Sequence, residues 1–415
     1  MHSDTFRSST PLARRASSRI PGGTSTHSKR VEAFADASTF PSHIAKADGC
    51  RLTDPTGKVF IDYVAALGPI VLGYGNARIN ERLKAQLERC VLTSLPPVEE
   101  VELAEVIADT IASGEMTRFF KTGAEAASAA VRLARTITGR DVVVACGYHG
   151  WHDWYAAVRE GEGIPPSIAA LTKAIPYGDL AAAKAIVAAA CDDLACIIVT
   201  PAMYGVMPSQ PYLRELQKLA ADAGALLIFD EIITGFRWHL GGAQALCGVT
   251  PDLTVIGKAM ANGMPLAALT GRSEVMTAIS RTWVTSTYAS EALSLVASLE
   301  TIAILRETDS IGTIYRRAAH MCEGLRDVGR RAQVEIAVSE TAPAIFFDLR
   351  PDGFSNRSLN DAFIRECASR GVLMRRHDPG FSLCFMAAHE NDDIELTIEL
   401  FAESLSASLQ RYAKS

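Results

Sequence analysis

Ala225-Leu-Leu-Ile-Phe-Asp230-Glu231 is an apolar run closed by two carboxylates, and the reading of the whole fold starts from it. Apolar residues with no polar alternation predict a strand buried on both faces, the habit of parallel sheets covered by helices. A second short run, Leu253-Thr-Val-Ile-Gly257, leads into Lys258, twenty-eight residues after Asp230. In open α/β sheets, ligands gather outside the carboxyl ends of the strands. An amine and a carboxylate delivered together to that edge predict a site whose chemistry uses both.

The pattern extends in both directions. Strands are predicted over 117–120, 142–146, 197–200, 225–229, 253–256 and 266–270, with helices over 124–138 and 212–223. Gly139 and Gly224 stand where helices end, and Pro201 stops a strand. Alternation of this kind implies βαβ units in a mostly parallel sheet with helices on both faces. Upstream, residues 50–64 read as a hairpin around the turn Asp54-Pro-Thr-Gly57. Residues 97–113 read as a helix whose apolar face is Val98, Val101, Leu103, Val106 and Ile107. After a helical stretch at about 289–306, residues 334–415 read as strand, strand, helix (359–370), strand and a final helix. The predicted organisation is a flexible basic arm (1–20), an N-terminal segment of the small domain (21–75), a large domain (76–310) and a small α+β domain (311–415).

Composition narrows the classes. Hydrophobic residues at 48% and charged residues at 21% fit a globular protein, and a net charge of −6 gives no reason to expect nucleic acid. No apolar run approaches the ~20 residues of a membrane span. The alanine-rich stretch 180–190 is too short and is interrupted by Lys184. Nine cysteines without a C-x-x-C pair predict free thiols in a reducing, cytoplasmic setting, and support neither zinc nor a disulfide framework. The first thirty residues carry Arg7, Arg14, Arg15, Arg19, Lys29 and Arg30 against Asp4. That reads as a mobile arm or an organelle transit segment; a secretory signal is excluded, because no apolar region follows.

Three further segments carry chemistry. In Lys121-Thr-Gly-Ala-Glu-Ala126, a glycine between strand and helix brings backbone amides to a helix N-terminus, where an anion can bind. In Gly147-Tyr148-His149-Gly150-Trp151-His152-Asp153, flanking glycines expose an aromatic ring at the sheet edge, ready to stack on a flat heterocycle. A metal reading of His149, His152 and Asp153 is disfavoured by loose spacing and by the lack of a completing cluster. Asp230 alone could ligate a metal, bind a ribose or pair with a pyridinium; Glu231 is assigned no catalytic role. Lys258 precedes the small residues Ala259, Ala261 and Gly263, which leave room for close approach. The combination fits pyridoxal 5'-phosphate (PLP): the lysine holds the aldehyde as a Schiff base and the aspartate keeps the pyridine nitrogen protonated.

These residues resemble the class III PLP-dependent aminotransferases of fold type I, and within them proteins of the glutamate-1-semialdehyde aminomutase type. The resemblance runs from Pro21-Gly-Gly to Ala387-Ala-His-Glu-Asn-Asp-Asp-Ile394, through Thr122-Gly-Ala-Glu-Ala126, Arg132-Leu-Ala-Arg135, Tyr148-His-Gly, Asp230-Glu-Ile-Ile-Thr-Gly-Phe-Arg237 and Gly257-Lys258. It implies a large domain with a mostly parallel, seven-stranded type of sheet and a smaller α+β domain. It also implies Lys258 as the Schiff-base lysine, Asp230 on the ring nitrogen, and Tyr148 and Ile232 on the two ring faces. Gly123 and Ala124 would bind the phosphate by their amides, and Thr287 would reach the phosphate of a neighbouring subunit, making a homodimer the working unit.

The departures concern the substrate. Where the family's N-terminal segment ends in an arginine, this chain has Lys29, with Arg30 next to it; lysine is a point charge, not a bidentate fork. Leu67-Gly68-Pro69 replaces Trp-Gly-Pro, Phe381 stands where an acidic residue is expected, and the segment between Met276 and Thr287 is shortened. Arg375 and Arg376 are further candidates for a substrate carboxylate or phosphate. The implied reaction is transfer of an amino group to a small aldehyde or ketone of the carbohydrate, cyclitol or specialised-metabolite kind. The alternatives are an aminomutase or an amino-acid epimerase. A non-enzymatic binding subunit is disfavoured by the Lys258–Asp230 pair.

Overall fold

Strands with no water on either face form the centre of the larger of two compact units. In the computed structural model, which describes residues 11–31, 34, 40–156, 158 and 162–412, the chain divides after Asn76 and after Ile311. The middle part is one unit, and the two outer parts together form the other.

The middle unit holds a seven-stranded sheet in the order Met116–Phe120, Ala267–Gly271, Leu253–Gly257, Leu226–Asp230, Leu194–Val199, Val142–Cys146, Thr172–Ala174. The last five run parallel to one another, whereas Ala267–Gly271 is antiparallel to both its neighbours. The edge strand Thr172–Ala174 has no apolar signature, because Lys173 and Ala174 are exposed. Side-chain alternation separates two apolar layers. Ala145, Ile198, Ile228 and Val255 face the helix Gly123–Thr138. Val144, Ile197, Val199 and Phe229 face the helices Leu180–Ala190 and Gln210–Asp222. Gly139 ends the first of these helices in the left-handed conformation (φ 66°) that favours glycine.

The helix Val98–Ala108 corrects the expected apolar face. Leu103 and Ile107, four apart, are buried, but Val98 and Val101 point away from the chain and are about three-fifths exposed (60% and 61%).

In the outer unit, Arg51–Thr53 and Val59–Asp62 form the antiparallel hairpin, and Asp54 Oδ1 accepts the amides of Thr56 and Lys58 in its turn. Val372–Leu373 pairs in parallel with Val59–Asp62. A second sheet runs Glu335–Val338, Ala344–Arg350, Phe381–Cys384, Arg375–Arg376, accompanied by the helices Arg357–Ser369 and Asn391–Tyr412. Phe381 is fully buried, 5.1 Å from the Phe347 ring and 5.6 Å from Phe363. It is a core residue, so the difference at this position is one of packing. Among the described residues no helix is long and apolar enough to cross a membrane.

Candidate active site

Asp230 ends its strand in register with Val255 on the neighbouring strand. Lys258 lies three residues further on, or about 10 Å at ~3.3 Å per residue, at the same carboxyl edge. Lys258 itself adopts φ +47°, the left-handed region, directly after the last residue of a fully buried strand. Such a conformation costs an ordinary residue about 1–3 kcal/mol, and strain of this kind clusters at functional sites.

Asp230 is buried, and both its oxygens are engaged. His149 Nδ1 lies 2.7 Å from Oδ2, and the Ile232 amide donates to Oδ1 at 3.1 Å. The His149 ring stacks nearly parallel on Trp154 and meets Tyr155 edge-on at 5.1 Å, and Tyr155 donates its hydroxyl to the Gly147 carbonyl. Tyr148 stands out from this cluster, about half exposed, with its ring edge-on to Tyr155 at 5.8 Å.

At the helix start, Thr122 and Glu125 form a reciprocal cap. Glu125 Oε2 accepts the amides of Lys121 and Thr122, and Thr122 Oγ1 accepts that of Glu125. The first-turn amides left over for an anion are those of Gly123 and Ala124.

Close approaches join these pieces. A Cβ on Gly123 would lie 2.8 Å from Ile232 Cδ1, and one on Gly257 would lie 2.9 Å from the same atom. A Cβ on Gly150 would lie 2.6 Å from that of Ala124. With the His149–Asp230 bond and the Ile232 amide on Asp230, Gly123, Asp230, Ile232 and Gly257 are thus linked at one sheet edge, with Lys258 directly after Gly257 and Tyr148 directly before His149. Two buried polar atoms at this edge have no hydrogen-bond partner, His149 Nε2 and Thr200 Oγ1. Amides for an anion, a buried carboxylate for a ring nitrogen, and an amine near by are what PLP requires; the residues fit it.

Other predicted residues stand apart. Thr287 is exposed on the loop before the helix Ala292–Glu307, and no described bond ties it to Asp230 or Lys258. The end of that loop is tied to the turn before the helix Gly123–Thr138 by Lys121 Nζ and Glu291 Oε2, 2.9 Å apart and largely buried. Glu291 also caps the helix, accepting the Leu293 and Ser294 amides. Glu231 is structural: fully buried, it accepts the Thr234 hydroxyl and the Ala243 and Gln244 amides.

In the outer unit, Lys29 and Leu67 line a cavity of about 620 Å³ with Ile20, Phe34, Phe40 and Leu373. One wall is the unusual stretch Ala65, Ala66, Leu67, with φ +50°, +53° and +74° in succession. Asp62 holds it there, accepting the Val64 amide (2.8 Å), the Ala65 amide (3.1 Å) and the Tyr74 hydroxyl (2.8 Å). Arg376 is paired with Asp361 at 2.5 Å. Arg375 reaches the Ser28 hydroxyl at 3.4 Å, and its Nε is buried without a partner.

Sequence reasoning considered His149 only as a metal ligand and assigned Thr200 nothing. The signal that could have found them is register: Thr200 follows its buried strand level with Asp230, and His149 comes two residues beyond that level, after the next strand.

A family model described as aminotransferase class-III matches residues 33–405. Glutamate-1-semialdehyde 2,1-aminomutase of Methanothermobacter thermautotrophicus is 36% identical over 95% of this chain and 98% of its own. Among solved structures, the Sphingopyxis sp. MTA144 FumI protein in its PLP internal aldimine form superposes with a TM-score of 0.90 at 28% identity, covering 97% of this chain and 96% of that one. A transaminase with PLP bound gives 0.85 at 25% identity over 96% and 97%. With the buried carboxylate, the strained lysine and the capped helix start already in place, these likenesses leave one assignment: the chain belongs to the class-III aminotransferases, enzymes that work with pyridoxal phosphate.

Proposed function

We propose that this enzyme moves an amino group from an amino donor to a small aldehyde or ketone, with Lys258 and Asp230 as its catalytic pair. The observation that supports the reading is the set of close approaches that links Gly123, Gly257 and Asp230 through Ile232 at one sheet edge, next to Lys258. PLP, when bound, supplies an aldehyde that condenses with amines and a protonated ring that takes up the electron pair released at the substrate carbon. Asp230 holds the ring nitrogen protonated, and His149 orients that carboxylate. The Gly123 and Ala124 amides bind the phosphate, while Tyr148 and Ile232 cover the two ring faces. Lys258 Nζ would hold the cofactor's aldehyde and, as a free amine, would move the proton at the substrate carbon.

Lys29 lines the outer unit's own cavity. Its apolar lining and its lysine suit a molecule with an anionic end and a hydrocarbon body, with Arg375 as a second cation and Arg376 less available because Asp361 engages it. The working unit is a homodimer in which Thr287 reaches the partner's phosphate. Exposed Leu95, Val98 and Val101 supply an apolar face for the second copy. The free state of the cysteines is consistent with a cytoplasmic enzyme.

The identity to aminomutases favours a second reading, an intramolecular amino shift. Supplying one amino compound with no carbonyl acceptor separates the two: isomerised product establishes the shift, and product only on adding an acceptor establishes transfer. The cofactor role is tested by reducing the PLP-loaded protein with borohydride and mapping the modified peptide. Modification away from Lys258, or undiminished turnover by Lys258→Ala, would overturn the assignment.

A further inference from the structure

Thr200 follows the strand Leu194–Val199 and is buried, yet its hydroxyl has no hydrogen-bond partner. A buried polar group without a partner is costly and calls for a physical account. Its backbone is fixed, because the Thr200 amide donates to the Cys146 carbonyl at 2.8 Å. Its position follows from register. Val199 is paired with Cys146 on one side and Phe229 on the other, so Thr200 stands level with Gly147 and Asp230. Alternation then puts all three on the face of Ala145, Ile198 and Ile228, the one covered by the helix Gly123–Thr138.

Gly147 keeps the space beside the hydroxyl open. A Cβ there would lie 2.3 Å from Thr200 Oγ1, and φ of +113° at this residue favours glycine independently. Strands lie about 4.8 Å apart in a sheet, so Thr200 and Asp230 are backbone neighbours on one face, and the Thr200 hydroxyl is on the Gly147 side. It lies on the side of Asp230 away from Lys258, since the order across the sheet runs Leu253–Gly257, Leu226–Asp230, Leu194–Val199. The contacts of Gly123 and Gly257 with Ile232 are on the lysine's side.

Given the cofactor placement proposed above, on which this step rests, the chemistry of the ring decides the partner. With its nitrogen at Asp230 and its phosphate at Gly123 and Ala124, PLP turns its other flank, which carries a methyl group and a phenolic oxygen, toward Thr200. Only the oxygen can take a hydrogen bond. We propose that Thr200 is a cofactor-binding residue whose hydroxyl donates to the phenolic oxygen of PLP. Donation draws electron density from that oxygen and so lowers the pH at which the lysine–cofactor linkage loses its proton.

The experiment uses full-length protein loaded with PLP, with Thr200→Val and Thr200→Ser alongside the wild type. The pH midpoint of the bound cofactor's visible absorption band is measured, together with the PLP dissociation constant of the stripped protein. Valine should raise the midpoint by about one pH unit and weaken PLP binding about tenfold, the loss expected for one hydrogen bond to a charged oxygen. Serine should restore both. A Thr200→Val protein that melts at or above the wild-type temperature without PLP but keeps the wild-type midpoint and affinity would overturn the proposal: the hydroxyl would then be a buried defect only. A wild-type protein showing no visible band with PLP would instead overturn the cofactor placement itself, so the two failures are distinct.

Discussion

His149 and Asp230 meet at 2.7 Å where both side chains are shielded from water. The aromatic walls of Trp154 and Tyr155 hold the imidazole, and the Ile232 amide holds the other carboxylate oxygen, so the carboxylate is aimed before any ligand arrives. Asp230→Asn should lower kcat by roughly a hundredfold or more, since an amide cannot keep a ring nitrogen protonated. His149→Gln should lower kcat about tenfold, in the range seen when an orienting partner is lost. Steady-state kinetics with saturating PLP checks both, and equal effects from the two variants would contradict a merely orienting histidine.

Ile232 is the shared neighbour of Gly123 and Gly257. Gly123→Ala should therefore push on Ile232 and weaken PLP binding, while the double variant Gly123→Ala/Ile232→Ala should recover part of the loss. A double-mutant cycle on PLP affinity should give a coupling of about 0.5–3 kcal/mol. Additive effects would mean that the two residues do not share the space.

The Lys121–Glu291 pair is mostly buried, so either single neutral variant leaves a charge unpaired in a poor solvent for it. Lys121→Met should destabilise the protein by about 3–5 kcal/mol, and Lys121→Met/Glu291→Gln by distinctly less. Denaturant titration of the three variants reads this directly. A double variant less stable than Lys121→Met would show that Glu291 acts through its helix cap alone.

The sequence made the central strands plain because a strand buried on both faces must be apolar throughout, as at residues 226–230 and 253–257. It hid Thr172–Ala174, an edge strand with exposed Lys173, and the reversed direction of Ala267–Gly271, since direction leaves no trace in local composition. At the site, Asp230 and Lys258 were readable from their position after apolar runs. The bond from His149 to Asp230 spans 81 residues and depends on register, which no local pattern encodes. Val98 and Val101 showed helical spacing, but spacing does not tell a core-facing side chain from one on the chain's own surface.

Asp62 and His377 oppose each other as pH changes. Burial raises the Asp62 carboxyl from 3.8 to about 6, against the pull of the Val64 amide, the Tyr74 hydroxyl and the Ala65 amide. Its contribution to stability is complete below its ordinary value and is lost as pH rises through about 6. Burial, followed by the charge of Arg375, lowers His377 from 6.5 to about 4. Its contribution is complete above 6.5 and is lost as pH falls toward about 4. These two contributions therefore oppose each other between about 4 and 6. Asp62→Asn should expose the histidine's slope, up to about 1.4 kcal/mol per pH unit, as a melting temperature that rises with pH. A flat profile in the variant would contradict the opposition.

Ala267–Gly271 has one more consequence. Because it runs back against Leu253–Gly257, Gly257 and Ala267 are direct register partners, and the segment 258–266 between them is a loop clamped at its base. The entropy of closing that loop is lost once, during folding. Afterwards Lys258, the first residue of that loop, is held at the carboxyl edge of the sheet with no further entropy to lose.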